Sequence, residues 1–449
     1  MSGRQYLPNT PEDRQAMLAA LGLASVEELF SDIPEAVRFN RDLNLPAGLS
    51  EWEAMRELRT RAGRNLTVDE AACFLGAGYY DHYVPSVVRH LASRAEFVTA
   101  YTQYQPEISQ GALQALWEYQ SMICELTGLD VANASLYDGG TALAEAMNMC
   151  CGITNRKKVL VSVGVNPFYR RILATYAHDL GFEIMDIPTV NGITDYAAAE
   201  KMLDKQTAGV IVQSPNFFGC IEQPEPMVAA THAVGALFVM SVNPIALALL
   251  KSPGELGADI AVGEGQPLGL GLNFGGPGLG FMAVREKFMR RMPGRIVGQT
   301  VDKEGRRGFV LTLQAREQHI RREKAYSNIC SNEALCALTA AIYLAVVGKQ
   351  GLVDVARLCL DKAHYAAGKI SAIEGYELAF PAPFFHEFVI KTPRPVAEIN
   401  QALLAHKIIG GFDLGQVDGR LANHMLLAVT EKRTREEIDA LAAVLEGQK

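Results

Sequence analysis

Between residues 130 and 285, short β-rich runs alternate with helical patterns, and this alternation constrains the fold more than any other feature of the sequence. The candidate strands are 159–163, 183–187, 209–213, 236–240, 258–262 and 280–284. Helical patterns occupy several of the intervals, including 168–180, 196–203 and 226–233. Such alternation predicts a mostly parallel sheet with helices on both faces, so the predicted fold class is α/β.

The segments on either side of this region have a different character. Near the N-terminus, Thr10 followed by Pro11 is a typical helix start, and Ser25 three residues before Glu28 is a capping-box pattern. After residue 325, two long helical patterns at 332–347 and 352–373 precede strands at 376–380, 386–391 and 424–429, with helices at 396–406 and from Thr434 onwards. We therefore expect a helical N-terminal arm (1–60), a large α/β domain (61–325) and a small C-terminal α+β domain (326–449).

Composition limits the classes of partner and compartment. A chain of 449 residues, 49% of them hydrophobic, can bury a large core, and its net charge of −8 argues against a nucleic-acid or anionic-membrane partner. No secretory signal is visible, and the apolar run at 334–347 is too short to span a bilayer. The eight cysteines form no CxxC pair, so we expect reduced thiols in a cytoplasmic protein.

Several common functional motifs are missing from the sequence. The glycine-rich stretch 263–280 contains no GxGxxG, and there is no GxxxxGK[ST], HExxH or GxSxG motif. The nine histidines show no spacing typical of metal ligands, so we expect no metal site.

Two segments could carry binding groups. The polar tract YTQYQPEISQG at 101–111 precedes an almost wholly apolar segment that ends at Gly128, and polar loops fixed to rigid helices often hold functional groups. The residues from Asp138 to Ala142 start a helix whose N–H groups could bind a phosphate. The alternatives are an ordinary surface loop for the tract and simple helix capping for the second segment.

Long motifs across the chain resemble one family. The tract at 101–111 and the segments 128–147, 257–281 and 306–332 are similar to the glycine decarboxylase P-protein. More narrowly, the chain resembles the N-terminal-half polypeptide that forms subunit 1 of the two-subunit form. The resemblance implies the type I fold of enzymes that use pyridoxal phosphate (PLP). It also implies a role in the glycine cleavage system, where the P-protein decarboxylates glycine and passes the aminomethyl group to the lipoyl arm of H-protein.

The resemblance also bears on the cofactor. PLP chemistry requires a lysine amine and a carboxylate facing the pyridine nitrogen. In catalytic relatives, a His-Lys pair follows the strand that begins Gly-Ala-Asp, and here the pair falls on Gln266 and Pro267. The carboxylate position falls on or near Met240, and no lysine occurs between Lys251 and Lys287. The resemblance therefore implies that this chain has no cofactor of its own and that PLP is bound by the partner, subunit 2.

Residues that complete a partner's site are then the candidates for function. In the tract, Tyr101, Tyr104, Gln105 and Glu107 offer hydroxyl, amide and carboxylate groups, and the segment GAGYYDHYVP at 76–85 is expected to line the same cleft. The resemblance therefore implies the subunit 1 role of a two-subunit P-protein, joined to subunit 2 in an α2β2 assembly that acts on lipoylated H-protein. The alternatives are an autonomous PLP-dependent aminotransferase or lyase, and a non-catalytic scaffold.

Overall fold

A computed structural model of the chain describes residues 8–99 and 101–448. The chain divides into two compact units, with the boundary between Asn65 and Leu66. In the first unit, Thr10 caps the helix Pro11–Leu21 through a capping box with Asp13, and Ser50 caps the helix Glu51–Ala62 in the same way. None of residues 8–65 is buried.

The predicted capping box at Ser25 is wrong. The side chain of Ser25 makes no cap hydrogen bond, and the segment Val26–Phe30 is a short 3-10 helix. Glu28 instead accepts a hydrogen bond from the N–H of Ala24 at 3.3 Å. The Ser-x-x-Glu pattern identified a turn but not the type of helix, because the same local bonds suit both.

The second unit contains a seven-stranded sheet whose strands we number in chain order. They are β1 (Val131–Ala132), β2 (Lys158–Ser162), β3 (Glu183–Ile187), β4 (Thr207–Ser214), β5 (Leu237–Val242), β6 (Ile260–Glu264) and β7 (Gly280–Val284). The spatial order is β3-β2-β4-β5-β6-β7-β1. Pairing is parallel from β3 to β6, whereas β7 is antiparallel to both β6 and β1. The predicted mostly parallel sheet is confirmed.

Helices cover both faces of the sheet. Neighbouring residues of a strand point to opposite faces, so Val210 and Val212 of β4 join one apolar core, whereas Ile211 joins the other. The first core includes the helix Gln110–Thr127, and the second includes the helices Gly139–Thr154 and Pro167–Leu180. The shorter helices Tyr196–Met202 and Glu225–Ala233 also contribute side chains to the first core.

The predicted helices and strands of the sheet region are confirmed, with shifts of one or two residues at the ends of four strands. The strand predicted at 236–240 is Leu237–Val242, and the strand predicted at 258–262 is Ile260–Glu264. A parallel strand that is buried on both faces has no alternating pattern to mark where it stops. The shift matters because the ends of these two strands line the candidate site.

The C-terminal part holds a second, antiparallel sheet. Its strands, in spatial order, are Glu377–Leu378, Glu387–Lys391, His424–Ala428 and Phe412–Asp413. The helices Val396–Ala405 and Arg435–Glu446 pack on it together with the second half of the long helix Ala334–Ser371. Elsewhere, Ala72–Cys73 pairs with Ile408–Ile409, and Ile296–Val301 forms a hairpin with Arg307–Thr312.

The long helix Ala334–Ser371 consists of two helical segments that meet at Gly348. Gly348 has φ 63° and ψ −179°, a conformation that favours glycine, so the two helices predicted at 332–347 and 352–373 are confirmed. The helix is long and apolar enough to cross a membrane, but half of its most apolar window is buried inside the chain. That burial is typical of a core helix.

Candidate functional site

The helix Gly139–Thr154 begins near the carboxyl end of β6, and two carboxylates cap its start. Oδ1 of Asp138 accepts a hydrogen bond from the N–H of Thr141 at 2.8 Å, and Oδ2 accepts one from the Thr141 hydroxyl at 2.9 Å. The N–H of Gly139 donates to Oε2 of Glu264 at 2.9 Å. A helix start attracts anions, and here side chains of the same chain supply the negative charge.

Glu264, the last residue of β6, is held by three backbone donors. Besides the Gly139 bond, its Oε1 accepts hydrogen bonds from the N–H of Leu279 at 2.7 Å and the N–H of Gln266 at 2.9 Å. The side chain is 6% exposed, and burial raises the pKa of Glu264 to about 7 although the three donors favour the ionised form. The carboxylate therefore joins the sheet, the helix start and the glycine-rich segment.

Gln266 and Pro267, shortly after Glu264, are both buried. The side chain of Gln266 donates to the carbonyl oxygens of Tyr80 and Leu270 at 3.0 and 2.9 Å and accepts from the N–H of Tyr80 at 3.0 Å. Pro267, which the resemblance places at the lysine position of catalytic relatives, is buried beside it and offers no amine. Gln266 thus serves as a structural clamp that holds the 76–85 segment against the sheet.

The end of β5 lies at the position that the resemblance places on or near Met240. Met240 itself is 1% exposed and belongs to the apolar core. The residues of this strand end that line the cleft are Ser241, Val242 and Asn243, because the strand continues two residues beyond its predicted end. None of these three residues carries a carboxylate.

The opposite wall of the cleft contains a second buried acid. Oε1 of Glu387 accepts a hydrogen bond from the N–H of Ala77 at 2.7 Å, and Oε2 accepts one from the Tyr80 hydroxyl at 2.8 Å. Burial raises the pKa of Glu387 to about 7 and lowers the pKa of neighbouring His386 to about 3. The free volume of the cleft is about 40 Å³, far below the roughly 300–1,000 Å³ of typical small-molecule pockets.

His82 belongs to a hydrogen-bonded cluster behind this cleft. Its Nδ1 lies 2.7 Å from Oε2 of Glu431, and the Cys359 thiol donates to the same oxygen at 3.3 Å. Burial tends to raise the pKa of Glu431, but the hydrogen bond from His82 and its charge outweigh burial and lower the pKa to about 2. The hydrogen bond to Glu431 fixes the orientation of the His82 ring.

The tract residues lie elsewhere, on a separate cavity. Tyr101 is 87% exposed and stands at a cavity with a free volume of about 240 Å³. The cavity has an apolar wall and a polar end, lined by Phe97, Val98, Ala112, Leu116, Leu335 and Leu338 and by Gln103, Ser331, Asn332 and Glu333. An exposed tyrosine beside a partly apolar cavity is available to a partner.

Tyr104 is half exposed and rests on a buried arginine. The Arg295 guanidinium donates to the Tyr104 hydroxyl at 2.9 Å, and its carbon lies 5.3 Å from the centre of the tyrosine ring. The ring of His319 contacts Tyr104 edge-on at 6.0 Å. Two sequence-distant segments therefore fix the orientation of Tyr104.

Gln105 and Glu107 are both exposed on the 3-10 turn that leads into the helix Gln110–Thr127. Their side chains make no hydrogen bond within residues 8–99 and 101–448. The turn itself is firmly attached, because the Gln110 side chain exchanges two hydrogen bonds of 2.8 Å with the backbone of Phe309. A rigid turn thus presents a free amide and a free carboxylate to solvent.

The structure separates groups that the sequence analysis placed together. The 76–85 segment lines the cleft at the strand ends with Gly78 and Tyr80, whereas the tract lines the cavity at Tyr101, so the expectation of one shared cleft is wrong. Sequence reasoning also missed Glu264 and Arg295. Glu264 bonds to Gly139, and Arg295 bonds to Tyr104, across more than a hundred residues, and no local spacing signals such contacts.

Comparisons with known proteins agree with this architecture. The model of the family "Glycine cleavage system P-protein" matches residues 4–445. A relative from Desulforamulus reducens, "Probable glycine dehydrogenase (decarboxylating) subunit 1", is 57% identical over 98% of this chain and 99% of its own length. A crystal structure of glycine decarboxylase (P-protein) in inhibitor-bound form is 45% identical, with a TM-score of 0.92 over 98% of this chain and 99% of that one.

A more distant structure shows the fold alone. A sphingosine-1-phosphate lyase of Burkholderia pseudomallei is 15% identical, with a TM-score of 0.67 over 92% of this chain and 94% of that one. The fold is therefore the type I fold of PLP-dependent enzymes, as expected. Within that class, the family match and the identity over the whole chain show that the chain belongs to the glycine cleavage system P-protein family.

The residues at the strand ends do not fit PLP. The helix start that could hold a phosphate is already bonded to Glu264 and Asp138. Position 267 offers no amine, and neither Ser241 nor Asn243 at the end of β5 offers a carboxylate. The donor set at these strand ends is therefore not the one that PLP chemistry requires.

The buried acid Glu387 predicts a specific pH dependence of stability. Its pKa is about 7 in the folded chain and about 4.5 in the unfolded chain. Its contribution to stability is therefore complete below about pH 4.5 and is lost as the pH rises through about 7. A glutamine can accept from Ala77 and donate to the Tyr80 oxygen. Relative to wild type, Glu387→Gln should therefore gain roughly 1–3 kcal/mol of unfolding free energy between pH 5 and pH 8.

Urea unfolding of the isolated chain at several pH values measures this difference. The matched control is Glu125→Gln, because Glu125 is exposed on the helix Gln110–Thr127 and should show no such trend. A difference between Glu387→Gln and wild type that stays flat or falls with pH would contradict the assignment of the buried, protonated acid.

Proposed function

We propose that this chain is subunit 1 of glycine dehydrogenase (decarboxylating), which acts together with a PLP-bearing subunit 2. The complex would decarboxylate glycine and transfer the aminomethyl group to the lipoyl arm of H-protein. PLP in the partner supplies the electron sink for decarboxylation. One observation supports the cofactor-free role. The Glu264 carboxylate of this chain accepts the hydrogen bond at the helix start where a cofactor phosphate could otherwise bind.

In this proposal the tract completes the partner's site. Tyr101, Tyr104, Gln105 and Glu107 are exposed on a turn that Gln110 fixes to the hairpin strand containing Phe309. Their roles are to bind and orient substrate and to exclude water at a site whose cofactor belongs to the partner. A rigid support keeps such groups in position without reorganisation during the reaction.

The N-terminal arm supports a large contact with another subunit. Ten large apolar side chains between residues 8 and 65 are each more than half exposed: Leu21, Leu29, Phe30, Val37, Phe39, Leu43, Leu45, Leu49, Trp52 and Leu58. Exposed apolar surface of this extent is typical of protein interfaces. We propose an α2β2 assembly in which each pair of unlike subunits buries more than roughly 2,000 Å², as obligate complexes do.

The compartment we propose is the cytoplasm. All eight cysteines are free thiols, and seven of them are buried or partly buried. Free thiols in this number are typical of a reducing compartment.

Co-expression with the candidate subunit 2 tests the proposal. We expect a stable complex by size-exclusion chromatography with light scattering, and glycine–bicarbonate exchange in the presence of H-protein. Neither subunit alone should support exchange. A chain that remains monomeric beside subunit 2 would indicate a scaffold without this partner. Exchange or amino-group transfer by the isolated chain with PLP would indicate an autonomous enzyme.

Variants of the tract test its contribution to the site. Tyr101→Phe and Glu107→Gln should each lower the exchange rate of the complex by on the order of 10²-fold, because loss of one well-placed hydrogen bond in a catalytic site has about this effect. Both side chains are exposed, so assembly and thermal stability should not change. Glu125→Gln, which changes an exposed acid on the following helix, is the control. Full activity in both tract variants would make the tract structural.

A further inference from the structure

Arg295 is a buried cation without a buried anion beside it. The residue is 4% exposed, and no carboxylate within residues 8–99 and 101–448 forms an ion pair with it. Arg433, which is equally buried, pairs with Asp81 at 3.0 Å and Glu437 at 3.5 Å. An unpaired buried charge is costly, so a position of this kind needs a reason.

Among the hydrogen bonds of Arg295, one reaches the hydroxyl of the half-exposed Tyr104. Nη2 donates to the Tyr104 oxygen at 2.9 Å and to the carbonyl oxygen of Cys330 at 2.8 Å, and Nη1 donates to Oδ1 of Asn332 at 3.0 Å. The Tyr104 oxygen is therefore an acceptor toward Arg295. Its own proton is free to be donated, and it has no acceptor within the described parts of the chain.

The support around Arg295 is rigid. Asn332 is itself fixed, because its Nδ2 donates to the carbonyl oxygen of Ala134 at 2.8 Å and to the Ser135 hydroxyl at 3.1 Å. The planar guanidinium thus reaches fixed acceptors in several directions at once, which a lysine ammonium cannot match. The Tyr104 hydroxyl, on a half-exposed ring, connects this charge to the surface.

We propose that Tyr104 and Arg295 form a recognition pair for an anionic oxygen, a carboxylate or a phosphate, that reaches Tyr104 from outside this chain. Tyr104 donates the hydrogen bond, and Arg295 is a positioning residue that orients the hydroxyl and strengthens it as a donor. The inference rests on the proposed function, because the anion then belongs to the site shared with subunit 2. Its source is the glycine carboxylate or a phosphate held by the partner.

The test uses the co-purified complex and compares Tyr104→Phe, Arg295→Lys and the double variant. If the oxygen belongs to glycine, KM for glycine rises about 10-fold to 100-fold in each single variant. If the oxygen belongs to the phosphate of PLP in the partner, each single variant loses PLP faster than wild type during dialysis. The absorbance of the retained PLP measures this loss. The double variant should be no worse than the more affected single variant, because both changes remove the same interaction.

Two matched controls separate this role from a structural one. Arg316→Lys alters a second largely buried arginine, which donates to the carbonyl oxygens of Met292 and Gly294. Tyr326→Phe alters a half-exposed tyrosine under Arg291. Both should leave glycine KM and PLP retention unchanged.

The proposal is overturned if Tyr104→Phe changes neither quantity, or if the effects of the two single variants multiply in the double variant. If Arg295→Lys fails to fold, Tyr104→Phe alone tests the proposal. Tyr104 is half exposed, so this variant should fold. An inactive wild-type complex would count against the proposed function, whereas PLP retention needs no turnover and still tests the pair.

Discussion

The carboxylate of Glu264 is the contact on which the rest of the candidate site depends. It lies at the end of β6 and receives N–H groups from the helix start at Gly139, from Gln266 and from Leu279. In the type I fold this helix start is a natural place for an anion. Here the anion is a side chain of the chain itself, and the sheet, the helix and the glycine-rich segment are tied together without a ligand.

The polar groups of the small inner cleft and those of the tract differ in their partners. Tyr80 and Glu387 are buried and hydrogen-bonded to each other. Tyr101 and Tyr104, by contrast, are exposed on a fixed turn. Buried polar groups need hydrogen-bond partners within the chain, so Glu387 is bonded internally, whereas the exposed tyrosine hydroxyls can donate to an outside group.

The fold could be predicted well from sequence because it depends on local periodicity. The strand–helix alternation located the parallel sheet, and the helical patterns at 332–347 and 352–373 located the two long helices. The ends of β5 and β6 lie up to two residues beyond the predicted ends, so the cleft-lining residues of β5 begin at Ser241, one position after Met240. Pro267 could be interpreted without a structure, since a residue without an amine cannot replace lysine whatever its surroundings.

The site could be predicted only in outline. The tract was correctly identified as polar and accessible, but its support by Arg295 comes from a residue 191 positions away. The role of Glu264 depends on a bond to a helix start 125 positions earlier. A side chain that folds back onto a distant backbone leaves no periodic signal, so such contacts appear only once the chain is folded.

Covalent trapping of PLP on the isolated chain tests the cofactor-free account most directly. The purified chain would be incubated with low PLP, reduced with borohydride and mapped by peptide, beside the complex with subunit 2. The account predicts no stoichiometric label on any lysine of this chain and a single label on the partner in the complex. One equivalent of pyridoxyl label at a single lysine of the isolated chain would contradict it.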